Sequence, residues 1–228
     1  MNRERFWALI QETHPSSGGR AGAQLLARLR ELPLGRINTA DPDKPLPFDA
    51  LVEELLASRD ACCQHAARLA ARLRELPPAE IAAFQDVRDD LLAESYRRDL
   101  WGAAYLINGG CSDDGFDYFR AWLLGQGNAA FQTALRDPDG LAGHPEVQDV
   151  ISAGIGRERL ECESLLAAPF WAYEAATGHE PPDHPRPSLL REALERGPAG
   201  EDWDFDDARE MQRRYPRLAA QLGSDEHA

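Results

Sequence analysis

Apolar residues along this chain recur at steps of three and four, and no segment alternates cleanly over the length of a strand. That pattern predicts an all-α protein. Phe6, Leu9 and Ile10 mark a short first helix, stopped at His14-Pro15-Ser16-Ser17-Gly18-Gly19, and Ala21–Leu32 makes a second that ends before Pro33. Pro33, Gly35, Pro42, Pro45 and Pro47 then crowd residues 33–47, a density that blocks both a helix and a central strand, so this stretch is a loop. Residues 48–76 read as one long helix rich in Ala, Leu and Arg. Pro77-Pro78 breaks it and starts the next, because proline is tolerated in a first turn.

From Ala79, the positions Ile81, Phe84, Val87, Leu91, Leu92, Tyr96, Leu100, Ala103 and Ile107 trace a helix of about eight turns. Asn108-Gly109-Gly110 closes it. Ser112 suits the N-cap of the following helix, with Asp113 and Asp114 in its first turn, where carboxylates complement the helix dipole. Phe116, Phe119, Leu123 and Leu124 give that helix its apolar stripe, which ends near Gly125-Gln126-Gly127. The expected architecture is a single compact multi-helix domain with a central helix–turn–helix hairpin. Residues 1–47 supply N-terminal helices and the Pro-rich loop packed on a main domain of 48–222, and 223–228 form a disordered tail. Ala27-Arg28-Leu29-Arg30-Glu31-Leu32-Pro33 recurs unchanged as Ala71-Arg72-Leu73-Arg74-Glu75-Leu76-Pro77, but a solenoid needs at least about three units.

Composition narrows the function classes. The 228 residues carry 25 Lys and Arg against 39 Asp and Glu, a net charge of −14, and the acidity begins after residue 50. Such a surface repels phosphate backbones and lacks the basic footprint of a duplex binder, so no nucleic-acid partner is expected. No stretch approaches the roughly 18–20 apolar residues of a membrane span, and the opening Met1–Trp7 runs straight into mixed polar sequence. A cytoplasmic protein without a membrane partner is expected. Its four cysteines, Cys62, Cys63, Cys111 and Cys162, are expected to be reduced thiols.

Candidate chemistry concentrates in the hairpin. Arg97, Trp101, Tyr105 and Asn108 stand at steps of four, four and three, which places them on one helix face, and Asp113, Asp117 and Arg120 share a face of the next. Two readings follow. In one, Arg97 or Arg120 grips an anionic group while Trp101 or Tyr105 stacks on a small polar ligand or peptide. In the other, Arg97–Asp117 or Arg120–Asp113 pairs lock the hairpin, and Trp101 and Trp122 fill its core. Asp113-Asp114-Gly115-Phe116-Asp117 lacks the alternating oxygen ligands and terminal glutamate of a calcium loop. Cys111 precedes a helix start, which favours a thiolate, but two aspartates close by oppose it. The six histidines fit no zinc spacing, and no phosphate loop, nucleophile elbow or dinucleotide fingerprint occurs, so neither metal nor cofactor is expected. Trp203-Asp204-Phe205-Asp206-Asp207 is either a docking hook with an aromatic anchor or the capped start of a last helix whose Trp packs back on the body.

Trp101-Gly102-Ala103-Ala104-Tyr105-Leu106-Ile107-Asn108-Gly109-Gly110-Cys111-Ser112-Asp113-Asp114-Gly115-Phe116-Asp117-Tyr118-Phe119-Arg120-Ala121-Trp122-Leu123 resembles an uncharacterised bacterial family, domain of unknown function 4240. The likeness reaches back to Phe6-Trp7 and forward through Asp137-Pro138-Asp139, Tyr173-Glu174-Ala175-Ala176-Thr177-Gly178 and Trp203–Asp207. The resemblance implies a mainly helical domain and carries over no activity, substrate or catalytic residue. The stretch from about Ser16 to Arg74 looks expanded, and Pro169 is expected to kink its helix.

Two functions of different class fit these residues. The first is an acidic binding module, an adaptor or inhibitor-like protein that engages a basic protein surface. The second is an enzyme for a small polar or anionic substrate, with Asp113, Asp114 or Asp117 as proton carrier and Arg97 or Arg120 as anion clamp. The chain has no signature of a particular substrate or oligomeric state.

Overall fold

The computed structural model describes residues 1–16, 47–58, 60–153, 160–182 and 189–222. The expected helix over 21–32, nearly all of the Pro-rich loop and the tail after 222 lie outside these residues. The described chain is all-α. In order it forms α1 (Arg3–Thr13), α2 (Phe48–Ala57), α3 (Ala61–Arg74), α4 (Pro78–Glu94), α5 (Arg98–Asn108), α6 (Asp113–Gly125), α7 (Asn128–Arg136), a 3-10 turn (Pro138–Gly143), α8 (Pro145–Ala153), α9 (Glu163–Thr177), α10 (Leu189–Arg196), α11 (Ala208–Arg214) and α12 (Pro216–Leu222). Among the described residues the only extended pairing is an isolated parallel bridge between Arg97 and Ala199.

Both long helices expected from the apolar pattern are interrupted, the first by local capping and the second where a distant segment pairs with the backbone. The 48–76 helix divides at Ser58 and Asp60. The Asp60 carboxylate caps α3 by accepting from the Cys62 N–H at 2.8 Å, and Ser58 Oγ accepts from the Asp60 N–H at 3.1 Å. The eight-turn helix divides at Ser95-Tyr96-Arg97. Ser95 Oγ donates back to the Leu91 carbonyl at 2.9 Å, and Arg97 is extended, with φ −132° and ψ 140°. A bridge explains that backbone: the Arg98 N–H donates to the Ala199 carbonyl at 2.8 Å, and the Ala199 N–H donates to Tyr96 at 2.9 Å. Helix pairing gives way to a partner about a hundred residues away, which periodicity along the chain does not encode.

Contacts divide the chain into two units, Met1–Arg88 with Ser164–His184, and Asp89–Glu163 with Pro185–Ala228. In the first, Asn2 caps α1 by accepting from the Arg5 N–H at 2.9 Å. α1 buries Phe6, Leu9 and Ile10, with the Phe6 ring stacked on Phe84 at 4.5 Å. Val52 of α2 packs with Ala67 and Ala71 of α3. Arg74–Asp49 and Arg72–Glu12 pairs, at 2.6 and 3.1 Å, close the rim of these helices. Pro169 lies inside α9, and near it the Leu166 carbonyl accepts from Arg88 at 2.7 Å.

In the second unit, α5 and α6 form the central hairpin over a core of Leu100, Ala103, Ile107, Phe116, Phe119 and Leu123. The start of α12 is held by a buried carboxylate: Asp139 accepts from the Arg217 and Leu218 N–H groups at 3.1 and 3.0 Å and from Arg217 Nε at 2.9 Å. Asp207 caps α11 by accepting from the Arg209 and Glu210 N–H groups, so the Trp203–Asp207 motif is the capped start of a helix. Cys63 and Cys111 are free thiols, but Cys62 and Cys162 are each disulfide-bonded. This corrects the expectation of four reduced cysteines; a bonding state is set by where folding places the sulfurs, not by their spacing in sequence.

Candidate functional site

The hairpin turn is built from the residues its sequence assigns to it. Gly109 adopts the left-handed conformation at φ 67°, which a side chain would strain, and the Gly110 N–H returns to the Tyr105 carbonyl at 2.9 Å. Ser112 then caps α6 by accepting from the Gly115 N–H at 3.1 Å. Asp113 and Asp114 stand exposed in the first turn, and neither enters an ion pair among the described residues.

The eight candidate residues distribute over separate settings. Trp101 stacks on Phe116 with centroids 4.9 Å apart and planes 9° from parallel, and its indole N–H donates to the Cys111 carbonyl at 3.0 Å. Arg120 is 1% exposed. Its guanidinium donates to the Asp117 carboxylate and the Leu92 carbonyl and lies over the Tyr96 and Phe116 rings at 4.9 and 5.0 Å. Trp101, Asp117 and Arg120 therefore meet in one cluster that Tyr96 and Phe116 complete. Tyr105 belongs to a second group: its hydroxyl donates to Asp206 at 2.5 Å and its ring packs on Phe205 at 5.3 Å. Asn108 donates to Glu161 at 3.4 Å.

Arg97 stands apart, its guanidinium doubly bonded to Asp99 at 3.1 and 2.8 Å. The expected face of four is corrected on this point: Arg97 precedes α5 rather than lying on it, so the step of four to Trp101 does not follow helical geometry. The ion pairs are Arg97–Asp99 and Arg120–Asp117, in place of Arg97–Asp117 and Arg120–Asp113.

Electrostatics follow from burial and from the surrounding carboxylates. Burial, then Glu161, pushes the Cys111 thiol up to about 12, which disfavours a reactive thiolate. Burial raises the Tyr96 hydroxyl as well, with Asp113 adding to it, and the hydrogen bond to Asp206 raises Tyr105. Arg120 is lowered by burial and held back by Asp117. Among the described residues no group of three His, Cys, Asp or Glu side chains is placed to hold a metal ion. No helix among them is long and apolar enough to cross a membrane.

Sequence reasoning missed the partners that residues 199–215 bring to α5. A Cβ on Gly102 would sit 2.4 Å from Tyr215 Oη and 2.6 Å from the Trp203 ring, so α5 is glycine where this segment docks. Arg98 lies over the Phe205 ring at 4.1 Å and pairs with Asp202 at 2.8 Å. Arg214 lies over Trp203 at 4.7 Å and pairs with Glu201 at 2.7 Å. The available signal was Gly102 inside an otherwise apolar helix, together with the aromatic pair in Trp203-Asp204-Phe205.

No curated protein and no solved structure matches the chain. A family model matches residues 48–175, which takes in α2 through most of α9 and the whole hairpin and leaves out α1 and the segment docked on Gly102. The match covers more than half of the 228 residues, and the chain belongs to the family described as protein of unknown function (DUF4240).

Proposed function

We propose that the protein is an acidic binding module whose hairpin face engages a basic protein partner, as an adaptor or inhibitor would. One observation carries the reading: the guanidinium inside the hairpin is buried and its outer amines are committed, while other carboxylates of the hairpin and of the segment beside Tyr105 are exposed. Asp113 and Asp114 at the N-terminus of α6 are exposed, as are Asp204 and Asp206 beside Tyr105. Arg120 is buried and paired with Asp117, and Arg97 is paired with Asp99, which supports the binding reading over an anion clamp at either residue. An outward negative field over a net charge of −14 speeds encounter with cationic surfaces and is screened over about 8–10 Å at near-physiological salt.

The test is a titration with a fluorescent peptide of nine arginines in low salt. Asn at Asp113, Asp114 and Asp204 together should weaken binding by about tenfold, while neutralising exposed Glu4, Glu53 and Glu54 should change it less than about twofold. Equal losses in both sets would reduce the effect to net charge and remove the site. We propose the cytoplasm for this encounter, where Cys62 and Cys162 would be held reduced and would form their disulfide only under oxidising conditions. Cys62 and Cys162 still disulfide-bonded in acid-quenched cell extracts would move it to an oxidising compartment.

A further inference from the structure

We propose that His65 is the pin of an acid-released latch that holds the last turn of α1 against α3. His65 lies on α3 and is buried. Its Nε2–H is shared between the Ile10 carbonyl and Thr13 Oγ, each at 3.1 Å. Ile10 is one of the last four residues of α1, whose carbonyls lack the backbone N–H partner of the helix interior, and Thr13 Oγ is turned inward toward the Leu9 and Ile10 carbonyls at 2.8 and 3.3 Å. The imidazole thus satisfies a helix end from a neighbouring helix, and only a ring carrying its proton on Nε2 does so.

A second proton has no place there. The neighbouring groups that act electrostatically on the ring both oppose its protonation: His14, edge-on at the end of α1 with centroids 5.2 Å apart, and Arg68, one turn along α3. Arg68 also donates to the His14 carbonyl at 3.5 Å, and Glu12 of α1 is engaged by Arg72. Burial first, then His14, hold the imidazole down to about 3 against an ordinary value near 6.5; the Ile10 hydrogen bond opposes them and Arg68 adds to them by less, so the ring remains neutral while the helices stay together. A proton binds once α1 has lifted and the ring meets water. Because the closed form has the lower pKa, the latch is complete above 6.5 and weakens as pH falls from there toward 3. Between pH 7 and pH 5 these two values raise the ratio of open to closed by about 25-fold.

α1 lies outside residues 48–175, so the latch would release a segment beyond the matched residues. The proposal is independent of the binding function proposed above.

Hydrogen exchange at pH 7 and pH 5, corrected for intrinsic amide rates, tests it on the full chain and on His65→Gln, which keeps an amide donor and takes up no proton. Opening of peptides within residues 3–13 should rise by about 25-fold in the native chain and by less than about twofold in His65→Gln, with residues 98–125 unchanged in both. A native rise below about threefold, an equal rise in His65→Gln, or a parallel rise across residues 98–125 overturns the latch. If His65→Gln does not fold, the native imidazole is followed by NMR: a ring that titrates near 6.5 with the native fold intact overturns the proposal as well.

Discussion

Replacing Asp117 by alanine strands a guanidinium inside the fold. Arg120 is 1% exposed, whereas the Asp117 side chain is 43% exposed, so the two ends of this pair are unequal in what they leave behind. Asp117→Ala removes the counter-ion of a buried cation, a loss of about 3–5 kcal/mol for a fully buried pair and about 3 kcal/mol here, because water reaches the site of the carboxylate. Arg120→Met nearly preserves volume, frees Asp117 to be hydrated, and leaves the Leu92 carbonyl with Ser95 Oγ at 3.2 Å. Its cost is the lost guanidinium–ring attraction, about 1 kcal/mol. The exposed partner should therefore matter more than the buried one, and the double variant should resemble Arg120→Met alone. Urea unfolding followed by far-UV CD measures this, with coincidence of the CD and tryptophan transitions required before a single free energy is assigned. At about 2–4 °C per kcal/mol, Asp117→Ala should also lower Tm by roughly 6–12 °C. Arg120→Met costing more than Asp117→Ala would refute the reasoning and show that the guanidinium stabilises the hairpin without its carboxylate.

Gly102→Ala should cost about 1–3 kcal/mol by forcing Tyr215 and Trp203 away from α5, read as faster hydrogen exchange over residues 199–215. Asp139→Ala removes the acceptor for two N–H groups of α12 and for Arg217 Nε, so it should cost about 2–3 kcal/mol and open residues 216–222 to proteolysis, while Asp137→Ala, at a half-exposed pair with Arg217, should cost under about 1 kcal/mol. Thiol titration of the denatured, unreduced chain should count Cys63 and Cys111 alone, with Cys62 and Cys162 joining after reduction. In the native state at pH 8, Cys111 should react about a thousandfold slower than a free cysteine, since its thiol is pushed up to about 12; equal rates would place it in water.

The parts of the fold that the sequence made legible are those governed by neighbours a few residues away. Phe6, Leu9 and Ile10 define α1 because an apolar face is a local pattern, and Pro78, Gly109 and Ser112 mark helix ends because their backbone and side-chain chemistry acts within one turn. The breaks at Ser58–Asp60 and Ser95–Arg97 were hidden under unbroken apolar spacing, although Asp60 sits where an N-cap, and Asp99 where a first-turn carboxylate, marks a new helix. Arg97 shows the cost of that omission. Counted as helical it joins Trp101, but as an extended residue bonded to Asp99 it leaves the candidate site. Trp101, Asp117 and Arg120 were legible as a group because all lie within the hairpin, whereas Phe205 and Asp206, which hold Tyr105, arrive from a hundred residues downstream.

The bridge between Arg97 and Ala199 also orders events during synthesis. Residues 96–98 leave the ribosome with their hydrogen-bonding groups unanswered, and some hundred further residues must be translated before Ala199 arrives to meet them. At typical translation speeds that is an interval of about 5–20 seconds, during which the first turn of α5 and the glycine notch at residue 102 stand open to whatever the nascent chain encounters.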